Sequence, residues 1–223
     1  MKYLLLSEKT WHNELYLSLK LRDSEKWSII NNEKDFNLRA LKQLEPDKIF
    51  IPHWSYLIPR EIYENYECIL FHMTDLPYGR GGSPLQNLIV RGHDSTKISA
   101  LRVEAGIDSG KIYLKRSLSL LGTAREIFIR SSKVINTMIC DIIDKTPEPT
   151  DQKGTVVQFK RRAPKDGNLE FIDDLKKVYD YIRMLDCETY PASFLETENF
   201  IFEFTNASFK EVEITANVRI TKK

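Results

Sequence analysis

A chain of 223 residues with 42% hydrophobic and 29% charged residues has the material for a substantial core, which argues against disorder. Lys+Arg 33 against Asp+Glu 32 leave a formal net charge of +1, so no global field gathers a polyanion. Cys68, Cys140 and Cys187 are too scattered for a disulfide framework or a zinc knuckle, and no apolar run approaches the ~20 residues of a membrane span. The expectation is a cytoplasmic protein with no metal and no membrane partner.

The chain opens with a short apolar run, Lys2 to Leu6, that suits a central strand. Thr10 is placed to cap a helix carrying Trp11, Leu15, Leu19 and Leu17. Trp27 to Ile30 forms a second strand ending at the turn signal Asn31-Asn32, and Leu38, Leu41 and Leu44 make a helical stripe stopped by Pro46. Lys48 to Pro52 and Cys68 to Phe71 supply two more strands around a helix from Arg60 to Tyr66. Strands alternating with helical stripes predict an α/β class, a Rossmann-like mostly parallel sheet with helices on both faces. In such sheets ligands bind beyond the carboxyl ends of the strands. His53 and Trp54 follow the third strand there, and His72, Met73 and Thr74 follow the fourth.

The loop after His72 frees the backbone at Gly79, Gly81 and Gly82, and Ser83-Pro84 is placed to cap and start a helix through Leu85, Leu88 and Ile89. A phosphate cradle is disfavoured, because the lysine of a P-loop and a GxGxxG after the first strand are both missing. An amphipathic connection leads to VEAGIDSGKIY (Val103 to Tyr113), then to a strand from Lys111 to Leu114. A long helix from Thr123 to about Ile143 buries Ile127, Val134, Ile135, Met138 and Ile142. Thr146-Pro147-Glu148-Pro149-Thr150 breaks regular structure, giving domains at 1–145 and 146–223. The second holds the basic run Lys160-Arg161-Arg162, a helix from about Leu169 to Asp186, and a hairpin read from Phe200, Phe202 and Phe204 against Val212, Ile214 and Val218.

The segments His72-Met73-Thr74-Asp75-Leu76-Pro77, Arg80-Gly81-Gly82-Ser83-Pro84 and Glu104-Ala105-Gly106-Ile107-Asp108-Ser109-Gly110 resemble the signatures of folate-dependent N-formyltransferases. That family includes enzymes acting on methionyl-tRNA, on glycinamide ribonucleotide and on amino sugars. The resemblance implies 10-formyltetrahydrofolate as co-substrate and His72 with Asp108 as the catalytic unit, Thr74 being a further candidate or a turn hydroxyl. It departs from the family at Leu70, where the pattern has asparagine. It further implies a folate held by Leu85, Leu88, Ile89 and Val90 and by Val103, Glu104, Ala105 and Ile107, with substrate met by His53, Trp54, Tyr78, Arg80, Gly81, Gly82 and Arg183. For His53, Trp54, Leu85, Leu88 and Ile89, plain packing is the competing reading, for Arg183 internal packing and hydrogen bonding, and for Arg80 a solvated loop position. The run Tyr179 to Asp186 followed by Tyr190-Pro191 resembles sugar N-formyltransferases, and the short remainder after Asp186 leaves no room for an extended nucleic-acid platform. The expected acceptor is therefore a nucleotide-linked amino sugar, as in pseudaminic-acid-type polysaccharide pathways, with no nucleic-acid partner. A homodimer through the hairpin is compatible. A formyl-folate hydrolase and a non-catalytic folate-binding protein are the rival readings.

Overall fold

A computed structural model describes residues 1–188 and 190–223. Two compact units emerge. One comprises Met1–Gly81, Lys97–Leu118 and Ile129–Gln158, the other Gly82–Thr96, Ser119–Phe128 and Phe159–Lys223.

The first unit is built on a six-stranded sheet whose opening strand, β1 (Lys2–Ser7), is buried at every residue but Lys2. β1 pairs in parallel with β2 (Lys26–Ile30) on one side and β3 (Lys48–His53) on the other. A strand flanked on both edges and covered on both faces needs a continuous apolar run, which is what Tyr3 to Leu6 supply. β3 pairs in parallel with β4 (Cys68–His72), so the expected mostly parallel α/β sheet is present. The predicted boundaries of these four strands hold to within a residue or two.

Of the helices between these strands, the second matches its stripe, while the first and third are shorter than the sequence suggests. α1 (Asn13–Lys20) buries Leu15 and Leu19 but leaves Leu17 62% exposed. Thr10 opens a single 3-10 turn and caps nothing. α2 (Leu38–Leu44) is capped by the Asn37 side chain, which accepts from the Ala40 N–H at 3.0 Å, and ends at Glu45 with φ 47 before Pro46. α3 is confined to Arg60–Tyr63.

After β5 (Tyr78–Gly81) and α4 (Pro84–Ile89) comes β6 (Ser95–Arg102), a strand where the sequence suggested only a connection. β6 runs antiparallel to β4, with His72 opposite Ser99, and β7 (Ile112–Ser119) completes the order β2-β1-β3-β4-β6-β7. α5 (Ala124–Lys145) buries Ile127, Ile135, Met138 and Ile142 as expected, while Val134 is half-buried.

In the second unit α6 (Leu175–Leu185) starts later than its periodicity suggested, because Asp174 caps it by accepting from the Lys177 N–H at 2.8 Å. β8 (Val157–Phe159), whose first two residues belong to the first unit, pairs there with β5. β9 (Ser193–Glu196), β10 (Phe200–Lys210) and β11 (Glu213–Lys222) form an antiparallel sheet, the hairpin plus one strand that the sequence did not reveal.

Candidate active site

His72 is the last residue of β4 and is 7% exposed. Its Nε2 lies 2.8 Å from the Gly79 carbonyl, and since a carbonyl only accepts, Nε2 carries the hydrogen. That leaves Nδ1 facing the Asp108 carboxylate, 3.6 Å from Oδ2. The separation exceeds a direct hydrogen bond, and the two side chains face one another largely buried.

Asp108 sits in the β6–β7 loop with φ 49, a left-handed conformation uncommon for a side-chain-bearing residue. Two contacts hold Asp108 and a third holds Gly110 in the same loop. The Gly81 N–H donates to Oδ2 at 2.8 Å, and the Gln152 Nε2 donates to the backbone carbonyls of Asp108 and Gly110, each at 2.8 Å. Gly110 itself is required, since a Cβ there would lie 1.8 Å from the Arg102 carbonyl oxygen.

The turn between His72 and Arg80 is fixed from beneath. Ser99 Oγ accepts from the Leu76 N–H at 3.2 Å and donates to the Thr74 carbonyl at 2.7 Å. Lys115 bonds Asp75 and the Leu76 carbonyl, while Lys97 pairs with Asp75 at 2.9 Å. Burial pushes the Asp75 carboxyl up, but hydrogen bonds from Lys115 and Lys97 outweigh it and hold the group below the usual carboxylate range.

Other expected site residues are distributed unevenly. The Thr74 hydroxyl is fully buried and donates to the Gly79 carbonyl at 3.4 Å, which makes it a turn hydroxyl in this geometry. Leu70 packs against Leu76, Leu101 and Ile112, so the position of the family's asparagine is part of the apolar core. Arg80 is oriented by Gln152 Oε1, to which Nε and Nη2 donate at 3.1 and 2.8 Å. Tyr78 is half-buried on the same strand. Val103 and Glu104 are half-buried in the loop leading to Asp108, whereas Ala105 and Ile107 are exposed, Ile107 by 63%.

His53 lies at the carboxyl end of β3, its ring 5.3 Å from Trp11 and 6.4 Å from His12 between centroids. Burial, then the nearby Lys9 ammonium, takes His53 down to about 4, so it is neutral at pH 7. Trp54 packs edge-on against Phe36 at 6.0 Å and joins the core beneath β3.

In the second unit Ser83 does not cap α4. Its hydroxyl accepts from the Arg162 N–H at 3.0 Å, and the residue has φ 51. Gly82 donates its N–H to the Phe159 carbonyl at 3.1 Å. Leu85, Leu88 and Ile89 are each 1% exposed, as plain core would be, and Val90 is half-buried at the end of α4. The expectation that Arg183 meets substrate gives way. Its Nε donates to Asp180 at 2.6 Å and its Nη1 to the carbonyls of Leu120 and Gly122, which leaves it 3% exposed and internal.

Gln152 is the site residue that sequence reasoning missed. It follows the Pro-rich break and belongs to no motif, so only its contacts reveal it.

The fold and the His72–Asp108 pair define an α/β protein with a histidine facing a carboxylate at the carboxyl end of a parallel strand. Comparison with known families gives this class its particular content. A formyl transferase family model matches residues 16–126, and a model described as the methionyl-tRNA formyltransferase C-terminal domain matches residues 164–221. A solved structure described as methionyl-tRNA formyltransferase from Clostridium thermocellum is 45% identical, with a TM-score of 0.97, covering 100% of both chains. The chain belongs to the formyl transferase family.

Among curated relatives, the methionyl-tRNA formyltransferase of Thermodesulfovibrio yellowstonii is 28% identical over 180 residues, 74% of this chain and 56% of that protein. The chain thus spans about half the length of that relative. A HypX from Aquifex aeolicus, solved with tetrahydrofolic acid, shares the fold at 20% identity, a TM-score of 0.77, and 93% and 38% of the two chains. A 4-N formyltransferase from Francisella tularensis shares it at 15% identity, a TM-score of 0.67, and 88% and 93% coverage.

These findings overturn the nucleotide-sugar expectation and with it the expectation of no nucleic-acid partner. The 45% identical structure and the curated relative above carry the methionyl-tRNA name, whereas the 15% identity of the Francisella tularensis enzyme is a likeness of fold alone. A short C-terminal segment does not exclude a nucleic-acid acceptor, because a methionyl-tRNA formyltransferase C-terminal model itself fits residues 164–221. Among the described residues no helix is long and apolar enough to cross a membrane.

Proposed function

We propose that the chain transfers the formyl group of 10-formyltetrahydrofolate to the α-amino group of a methionyl-tRNA. The observation that carries this reading is the 45% identity over the full length of both chains with the Clostridium thermocellum protein of that name. The amine attacks the formyl carbon, and the tetrahedral intermediate carries an oxyanion and an ammonium. The ammonium gives up one proton, the oxyanion collapses to the amide carbonyl, and the C–N bond to the folate breaks as a proton is delivered to the folate nitrogen, so tetrahydrofolate leaves as a neutral amine. His72, with Nε2–H held by Gly79, presents Nδ1 as the base for that proton. The imidazolium so formed faces the Asp108 carboxylate, whose Oδ2 is anchored by the Gly81 N–H. The exposed Ile107 next to Asp108 offers an apolar surface for the folate ring system.

The test is transfer of isotopically labelled formyl from 10-formyltetrahydrofolate, with uncharged tRNA and free methionine as controls. Label on the amino acid of methionyl-tRNA supports the reading. Formate release with no labelled aminoacyl product refutes it.

A further inference from the structure

We infer that Gln152 is a positioning residue for formyl transfer, an inference that rests on the function proposed above. One side-chain amide joins the two loops of the site. Its Nε2 spends both hydrogens on the carbonyls of Asp108 and Gly110, and its Oε1 receives two N–H groups from Arg80. Only one amide orientation satisfies this set, because carbonyls accept and a guanidinium donates.

Two consequences follow from the chemistry. The first concerns Asp108, whose φ of 49 persists only where the surroundings over-determine it. The Gly81 N–H fixes its carboxylate and Gln152 fixes its backbone, so loss of Gln152 frees the carbonyl end of the turn and lets Oδ2 drift from His72 Nδ1. The second concerns Arg80. No carboxylate pairs with it among the described residues; a neutral amide aims its guanidinium and leaves the charge uncompensated. An aspartate or glutamate at position 152 would cancel that charge. A glutamine orients the cation and keeps it available for an anionic group of a substrate, such as a phosphate.

Gln152→Glu separates positioning from packing. It preserves volume and the acceptor for Arg80, but it loses both donors to the loop carbonyls and sets carboxylate oxygen against them. The variant is expected to lose ~10–100-fold in kcat with KM for the formyl donor within ~3-fold, as a displacement of about 1 Å at a reacting pair implies. Gln152→Met should lose kcat alike, but it leaves the Arg80 charge in place, so only Gln152→Glu should also raise KM for methionyl-tRNA. Independently of activity, amide exchange at Gly81 should quicken at least tenfold in Gln152→Glu, while Ile69 to Phe71 in β4 stay protected. Gly81 exchange at the wild-type rate overturns the inference. So does wild-type kcat in either variant, or a melting temperature so far below wild type that activity and fold are lost together. Wild type run alongside separates the two ideas. An inactive wild type retires the methionyl-tRNA reading, and Gly81 exchange still decides the role of Gln152.

Discussion

Arg183, Asp180 and Asp108 illustrate how little a side chain's charge says about its role. Asp180 and Arg183 are one helical turn apart on α6, and their 2.6 Å ion pair is shut inside the second unit. In the sequence the same arginine invites a substrate role, because residue type records charge and not burial. Arg183→Ala leaves the Asp180 carboxylate paired only with Lys176 at 3.2 Å and takes the Arg183 donor from the Leu120 and Gly122 carbonyls, so it should cost ~1–3 kcal/mol by urea denaturation; an unchanged stability would show the pair to be solvated. His53 makes the companion case for pH. Its folded value of about 4 lies below the ordinary 6.5, so between those values the unfolded chain takes up a proton that the native ring refuses. The stability it contributes is complete above pH 6.5 and lost as pH falls toward 4, at up to ~1.4 kcal/mol per pH unit. His53→Gln should flatten the fall in urea midpoint between pH 7 and 5, and an unchanged fall would contradict the assignment. His72, Gly81 and Asp108 stand in two compact motifs and can be singled out in the sequence, whereas Gln152 makes a contact 44 residues away in the chain that no local pattern encodes.

Elements were legible in proportion to how fully their neighbours bury them. β1, β3 and β4 lie inside the sheet and read as apolar runs. β6 reads Ser-Thr-Lys-Ile-Ser-Ala-Leu-Arg, with only Ile98 and Leu101 as large apolar residues, because part of its buried face does polar work. Ser99, fully buried, ties β6 to the turn that follows His72. Ser99→Ala leaves a buried N–H and a buried carbonyl each short of that partner and should cost ~1–3 kcal/mol, measured by chemical denaturation. Retention of full stability would mean that those groups find other partners. Helix starts were misjudged at α1 and α6 for a related reason. A hydrophobic stripe continues into turns and 3-10 segments, while the hydrogen bond of a cap, as at Asp174, decides where the helix begins.

At the scale of the molecule, family and fold followed from the sequence, but the acceptor did not. Two motifs around His72 and Asp108 identify formyl-transfer chemistry, which this family applies to different amines, and the acceptor must be read from surfaces that those motifs do not contain. Segment length misled because a family C-terminal model fits the residues from 164 to 221. The central claim is that His72 and Asp108 move the proton of an aminoacyl amine during formyl transfer. Single-turnover transfer from 10-formyltetrahydrofolate to methionyl-tRNA, compared across wild type, His72→Ala and Asp108→Asn, tests it most directly. The account predicts labelled formyl-methionyl-tRNA from wild type and a loss of ~10²–10⁴-fold in rate in both variants at unchanged melting temperature. Wild-type rates in His72→Ala would contradict it.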